Sequence, residues 1–260
     1  MHRKATRVLI GVFALFFGGL PGLVLAQASA GNLAEVWVMT IKRGQQANFE
    51  AAFKQQVAIR AQNKDPRAWN VYVPVTGDQL GRYSLRTCCF SWADQDAYTA
   101  WTNSTPASMG DWFANVDQYI ESYEHYFNEM DIDNSNWVAA DTPVKYIGIT
   151  DYFIDPAKGQ DFTSARIELS QIALNQGWSA GGHHWVWTSQ VGGEPKASLA
   201  VPFANFAGMA PEGPQFPEFL GEQMGAEATA ALVGKFSSGT TGSSYTLWEH
   251  RPDLSSGASN

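Results

Sequence analysis

Cysteine is nearly missing from this chain. Of 260 residues, only Cys88 and Cys89 carry thiols, and they are adjacent. Neighbours on a strand point to opposite faces, so a framework of disulfides is excluded. What remains is a bridge to another chain or a vicinal one. Positive charge is scarce as well: 17 Lys and Arg stand against 25 Asp and Glu. No run of basic residues exceeds two, which excludes nucleic acid and anionic membrane surfaces as natural partners. The sequence also has no P-loop, no G-x-G-x-x-G, no H-E-x-x-H and no C-x-x-C, so the standard nucleotide, zinc-protease and dithiol motifs are absent.

The one long apolar run lies at the start. Arg3, Lys4 and Arg7 precede Val8 to Leu20, Pro21-Gly22 interrupts it, and Val24-Leu25-Ala26 follows. A basic head, an apolar stretch and small residues at Ala26, Ala28 and Ala30 read as a signal peptide, residues 1–26, cleaved after Ala26. An uncleaved anchor is the rival reading, but Gly18, Gly19, Pro21 and Gly22 break a spanning helix. Cleavage removes three basic residues and leaves 14 against 25 acidic ones, a net charge of −11. The expected location is periplasmic or secreted, with no membrane association after cleavage. The remaining length suits one large or two small domains.

The rest of the chain repeats one order of signals. Glu35–Ile41 reads as a strand, Gln45–Gln62 as a helix, Trp69–Val75 and Tyr83–Phe90 as strands joined at Thr76-Gly77-Asp78. A helical or mixed stretch covers Asp94 to about Gln118, and Ser122–Asn128 closes the unit. Lys145–Phe153, Lys158–Asn175, His184–Ser189, Ala197–Pro202, a helix over about Phe216–Lys235 and Ser243–His250 follow in the same order. The fold class is therefore α+β: two tandem ferredoxin-like β-α-β-β-α-β units whose antiparallel sheets pack face to face as a barrel. Their expected bounds are 27–131 and 144–253, with a polar linker at 132–143 and a disordered tail at 254–260. In this order of elements the sequence resembles the dimeric α/β-barrel superfamily in a two-repeat form, over about Glu35 to Asp253. The resemblance implies cofactor-independent oxygenases, isomerase-like proteins and haem enzymes. Every His beyond the signal peptide falls on or beside an expected strand, which argues against a helix-borne haem ligand, and no cofactor is expected.

Strand alternation sorts side chains by face. Val36, Val38, Val71, Val73, Leu85, Thr87, Ile147, Ile149, Leu199, Val201, Tyr245 and Leu247 read as the helix-covered set. The opposite parity, expected between the sheets, holds Trp37, Met39, Asn70, Tyr72, Arg86, Cys88, Glu124 and Tyr126. From the second unit come Tyr146, Thr150, His183, Trp185, Trp187, Trp248 and His250. Aromatics mixed with ionisable groups suit a lined pocket, because buried charges are rare unless paired or used.

The leading expectation is an exported protein that binds a small apolar or aromatic molecule between its sheets. Trp37, Tyr72, Tyr126, Trp185, Trp187 and Trp248 would stack on it. In the enzymatic alternative His183 or His250 is the general base, Arg86 stabilises an enolate-like anion and Glu124 shares the site. The third reading is a structural or interaction module with a packed aromatic core and Arg86 paired to Glu124. A metal set of His183, His250 and Glu124 has the right ligand types, but nothing in the spacing gathers them, and no metal is expected. Gly177-Trp178-Ser179-Ala180-Gly181 matches G-x-S-x-G, yet it sits between a helix and a strand, the reverse of a nucleophile elbow. A homodimer is compatible with all of these readings.

Overall fold

The computed structural model describes residues 31–139, 142–211 and 213–256; the expected signal peptide and the last four residues lie outside them. The first half runs β1 (Leu33–Ile41), α1 (Gln46–Gln62), β2 (Asn70–Pro74), β3 (Arg82–Phe90), α2 (Trp92–Ser104), α3 (Pro106–Asp111) and β4 (Ile120–Asn136). The second runs β5 (Tyr146–Ile154), α4 (Gly159–Asn175), β6 (Trp185–Val191), β7 (Lys196–Phe203), α5 (Phe216–Met224), α6 (Ala226–Ser238) and β8 (Thr240–His250). All strand pairs are antiparallel, and they close into one barrel in the order β1-β3-β2-β8-β5-β7-β6-β4. The α+β barrel expected from the element order is thus present. Its halves join through β2 with β8 and β4 with β6. No helix among the described residues is long and apolar enough to cross a membrane.

The helices lie outside the barrel. On the first half, Phe49 and Phe53 of α1 pack with Met39, Ile41, Val71, Tyr83 and Leu85. On the second, α4 and α6 cover Trp187 through Phe162 and Phe236, and Arg166 stands 5.4 Å from the Trp187 ring. Closing α6 against α4 needs a residue without Cβ at Gly239, where a Cβ would lie 2.6 Å from that of Phe162.

Four expectations are corrected. Facing parity is reversed in β1, β5 and β6. Trp37 and Met39 pack towards helices, and Val36, opposite Arg86, points inward. Trp185 and Trp187 join the helix-side cluster with Ala173, Tyr152 and Phe236. Tyr146 meets Phe206 outside, while Ile147 and Ile149 turn in opposite Trp248 and Ala200. The reason is that β1, β5 and β6 are apolar on both faces, since both are buried, so alternation carried no sign. Tyr72, Arg86, Tyr126, Trp248 and His250 do keep the expected inward parity.

The linker is shorter than expected: β4 continues to Asn136, held by Asn136 opposite Trp185 and by Ser135 Oγ accepting from Trp187 N at 3.0 Å. The tail is ordered at its start. Leu254 is fully buried, and Ser256 N donates to Trp69 O at 3.0 Å. Arg86 is not paired with Glu124, which bonds Arg82 instead. Of the alternatives left open for the cysteines, the vicinal bridge Cys88–Cys89 is the one formed.

Candidate functional site

The helix α2 explains where the free space lies. None of its residues is fully buried, although it carries Trp92, Tyr98 and Trp101. It stands off the outer face of β1 and β3, and a cavity of about 460 Å³ fills the gap. That is within the usual range of small-molecule sites, roughly 300–1,000 Å³. The sheet supplies Glu35, Trp37, Leu85, Thr87 and Tyr123, α1 supplies Arg60, and Trp69 precedes β2. The roof comes from Gln95, Tyr98, Thr99, Thr102 and Asn103 of α2, Met109 of α3, and Trp112, Phe113 and Asp117 beyond it. A single π turn at Trp112–Val116 carries Trp112 over the sheet and leaves Phe113 65% exposed at the rim.

Most charged groups around this cavity pair with one another, but Arg60 Nε is buried without a hydrogen-bond partner among the described residues. Arg60 Nη1 meets Asp65 Oδ2 at 2.8 Å and donates to the Tyr98 hydroxyl at 3.0 Å. Its carbon lies 4.3 Å from the Trp69 ring and its Nη2 is 3.4 Å from Met109 Sδ. Burial, with Asp65 alongside, pushes the Tyr98 hydroxyl up to about 12, so it stays protonated at neutral pH. Asp117 accepts from the Tyr123 hydroxyl at 2.6 Å, and that oxygen accepts from Trp112 Nε1 at 3.1 Å. Glu35 takes Arg67 on one oxygen at 3.1 Å. On the other it holds His125 Nε2 at 3.0 Å and Trp37 Nε1 at 3.1 Å. Arg67 also donates to Gln95 Oε1 at 2.7 Å and lies against the rings of Phe90 and Tyr98. Burial lowers its pKa from the usual arginine value, against the pull of Glu35.

What is left beside the cavity is the Arg60 Nε–H and one neutral hydroxyl. Thr87 Oγ1 is buried in the cavity wall without a hydrogen-bond partner among the described residues. Such an orphan costs roughly 1–3 kcal/mol when nothing fills it. The rest of the lining is mostly apolar surface, with Gln95, Thr99, Thr102 and Asn103 adding neutral polar groups from α2. The arrangement suits a flat, mainly apolar molecule that offers one or two hydrogen-bonding atoms.

The residues expected from sequence are dispersed. Trp37 lines this cavity. Trp185 and Trp187 are locked into the other half by Nε1 bonds to Asn134 O at 2.9 Å and Ser170 Oγ at 3.0 Å. His183 stacks on Trp178 at 3.6 Å, with Nδ1 on Trp178 O at 2.9 Å. His250 is inside the barrel beside Tyr72, with Nε2 3.2 Å from Ser255 Oγ. Burial lowers its pKa. Tyr126 faces inward with Lys196 5.3 Å from its ring, and Trp248 is buried opposite Ile147. Glu124 is at an exposed edge with Arg82. His183, His250 and Glu124 do not gather, and no cluster of three His, Cys, Asp or Glu able to hold a metal occurs among the described residues.

Sequence reasoning missed His125, Glu35, Trp69, Tyr98 and Trp112. The signal available was the density of aromatics in the stretch from Asp94 to Gln118, set aside as mixed. Haem, which the superfamily resemblance implies for some members, does not fit this cavity. No His lines it; Met109 sulfur faces the Arg60 guanidinium, and the Tyr98 and Tyr123 hydroxyls are bonded to Asp65 and Asp117.

Neither a protein-family model nor a curated protein sequence matches the chain. Solved structures do. A candidate monooxygenase from Lactobacillus acidophilus aligns with a TM-score of 0.52 at 6% identity, over 87% of this chain and 96% of its own. Another from Fusobacterium nucleatum gives 0.54 at 9%, over 85% and 93%. A variant chlorite dismutase from Candidatus Nitrospira defluvii gives 0.53 at 8%, over 86% and 94%. These are eight-stranded dimeric α/β-barrel proteins, so the expected resemblance holds at the level of the fold.

Proposed function

We propose that the chain binds a small, uncharged, largely aromatic molecule in the cavity between its first half-sheet and α2–α3. The observation that carries this is Thr87: its buried hydroxyl, without a partner among the described residues, lines a space sized for such a ligand together with Trp37, Leu85 and Trp112. Arg60 and Arg67 each hold a carboxylate, which disfavours a charged ligand, while the unpartnered Arg60 Nε–H remains beside the cavity as a second donor. The proposed site therefore moves from the space between the sheets to the outer face of one of them.

A second reading makes the site enzymatic, and Glu35, a carboxylate that lines the cavity and is held by His125, Trp37 and Arg67, is the observation that favours it. His125 Nε2 lies 3.0 Å from Glu35, and its ring is stacked on Trp37. Anchored by Arg67 and backed by His125, Glu35 would take a proton from a phenol- or enol-bearing ligand, the first step of cofactor-independent oxygenase- or isomerase-like chemistry. The candidate monooxygenases that share the fold support the same direction. Export, proposed on residues 1–26, supplies the compartment, and N-terminal sequencing of secreted material beginning at Met1 would overturn it.

Titration with N-phenyl-1-naphthylamine, a neutral fluorescent aromatic, tests the binding site. Wild-type protein should enhance its emission saturably, and Leu85→Trp, which fills the cavity, should weaken binding about tenfold or more. Equal binding by a folded Leu85→Trp protein would refute the assignment.

A further inference from the structure

Inside the barrel, Arg86 has no counter-charge among the described residues. It points inward from β3, opposite Val36 on β1 and Asn70 on β2. Its one hydrogen-bond acceptor among the described residues is a thioether, Met130 Sδ, at 3.4 Å from Nη2. The acidic groups that share the interior are already engaged. Asp151 accepts from Lys196 Nζ at 3.2 Å and Ser198 Oγ at 2.5 Å, and Glu124 is bound to Arg82 at the barrel's end.

An arginine cannot escape this by losing its proton, even though burial lowers its pKa. An isolated buried cation is costly unless something pairs with it. Space for a partner is present. Arg86, Tyr72, Tyr126, Ile147 and Ile149 all turn inward from a closed barrel, yet each retains accessible surface. Solvent-sized space therefore reaches these side chains. Tyr72 lies close enough for the Arg86 charge to act on its hydroxyl. That hydroxyl has no partner among the described residues either.

We infer that the barrel interior is a second binding site, built on Arg86 and Tyr72, for a small planar oxyanion such as a carboxylate. The guanidinium offers two parallel N–H groups in the geometry a carboxylate accepts, and Tyr72 adds a third donor. Val36 gives an apolar wall opposite Arg86, and the His250 ring stands 5.2 Å from that of Tyr72, so a short organic acid fits better than a heavily hydrated divalent anion. This site is separated from the outer cavity by the sheet itself and stands independently of the function proposed for that cavity.

The test is line broadening of [1-¹³C]acetate by the full chain. Wild-type protein should broaden the signal saturably, and nitrate, another planar monoanion, should displace it. Arg86→Met should weaken binding about tenfold or more, as expected for a lost charge-assisted bidentate contact. Arg86→Lys and Tyr72→Phe should each weaken it several-fold, and they carry the test if Arg86→Met does not fold by circular dichroism. Absence of saturable broadening with wild-type protein would overturn the inference. So would acetate binding in folded variants equal to that of the wild type.

Discussion

The rings of Trp37 and His125 lie face to face, with centroids 3.8 Å apart and planes within 15°, and one Glu35 oxygen holds both of their N–H groups. Arg67 secures the other oxygen, with both charged side chains about a tenth exposed. Glu35 is thus the hinge pin of the cavity wall. Glu35→Ala should cost about 3–5 kcal/mol, because it strands a buried guanidinium. Glu35→Gln should cost less, since its carbonyl oxygen can still accept one of these donors. Denaturant unfolding of the two variants checks this ordering.

Trp187 and Trp37 separate packing from binding. Trp187 is sealed under α4 and α6 on the half without the cavity. Trp187→Ala should destabilise the protein by about 3–5 kcal/mol, while the folded fraction binds N-phenyl-1-naphthylamine with unchanged affinity. Trp37→Ala should weaken that binding several-fold. Titration of both variants under conditions where each is folded gives the comparison.

The C-terminal segment should matter for stability. Leu254 is buried in the core of the first half, and Ser255 Oγ accepts from Val71 N at 3.0 Å. Truncation after Asp253 should lower stability by about 2–4 kcal/mol, mostly from the lost leucine burial. Equal melting temperatures for the truncated and full chains would show that these contacts contribute nothing.

Two acid limbs are expected in stability against pH. Burial lowers the pKa of His250, so the unfolded chain binds its proton first. Stability from this group is complete above the unfolded value, near 6.5, and falls as the pH drops towards the lowered folded value. His250→Gln should flatten the decline between pH 7 and pH 5. At lower pH a second loss comes from Glu50 and Asp253. Hydrogen bonds from Arg251 hold both below the usual carboxylate range. Their contribution is present above about pH 4 and is lost on acidification; Arg251→Met should reduce it. Glu50 is about a quarter exposed and Asp253 nearly half, so solvent screening keeps the second effect modest. Thermal melts from pH 3 to pH 8 distinguish the two.

Element order was legible because each half keeps the period-2 and period-3.6 patterns of its strands and helices. Tyr72, Arg86 and His250 could be turned inward correctly because β2, β3 and the end of β8 alternate cleanly. Trp37, Trp185 and Trp187 could not. Their strands are buried on both faces, and a large aromatic beside a large aliphatic residue gives no sign of which faces the helices. The cavity was hidden for a different reason: it depends on α2 standing away from the sheet, a tertiary spacing that the helix's own pattern does not encode. His125 was passed over because only the register of β4 against β1 brings it to Glu35.

The most direct measurement is a crystal structure of the protein grown with 2-naphthol. The account predicts the ring system between Trp37 and Trp112, with its hydroxyl within hydrogen-bonding distance of Thr87 Oγ1. A ring system bound elsewhere, or a cavity that stays free of it at saturating concentration, would contradict the proposed function.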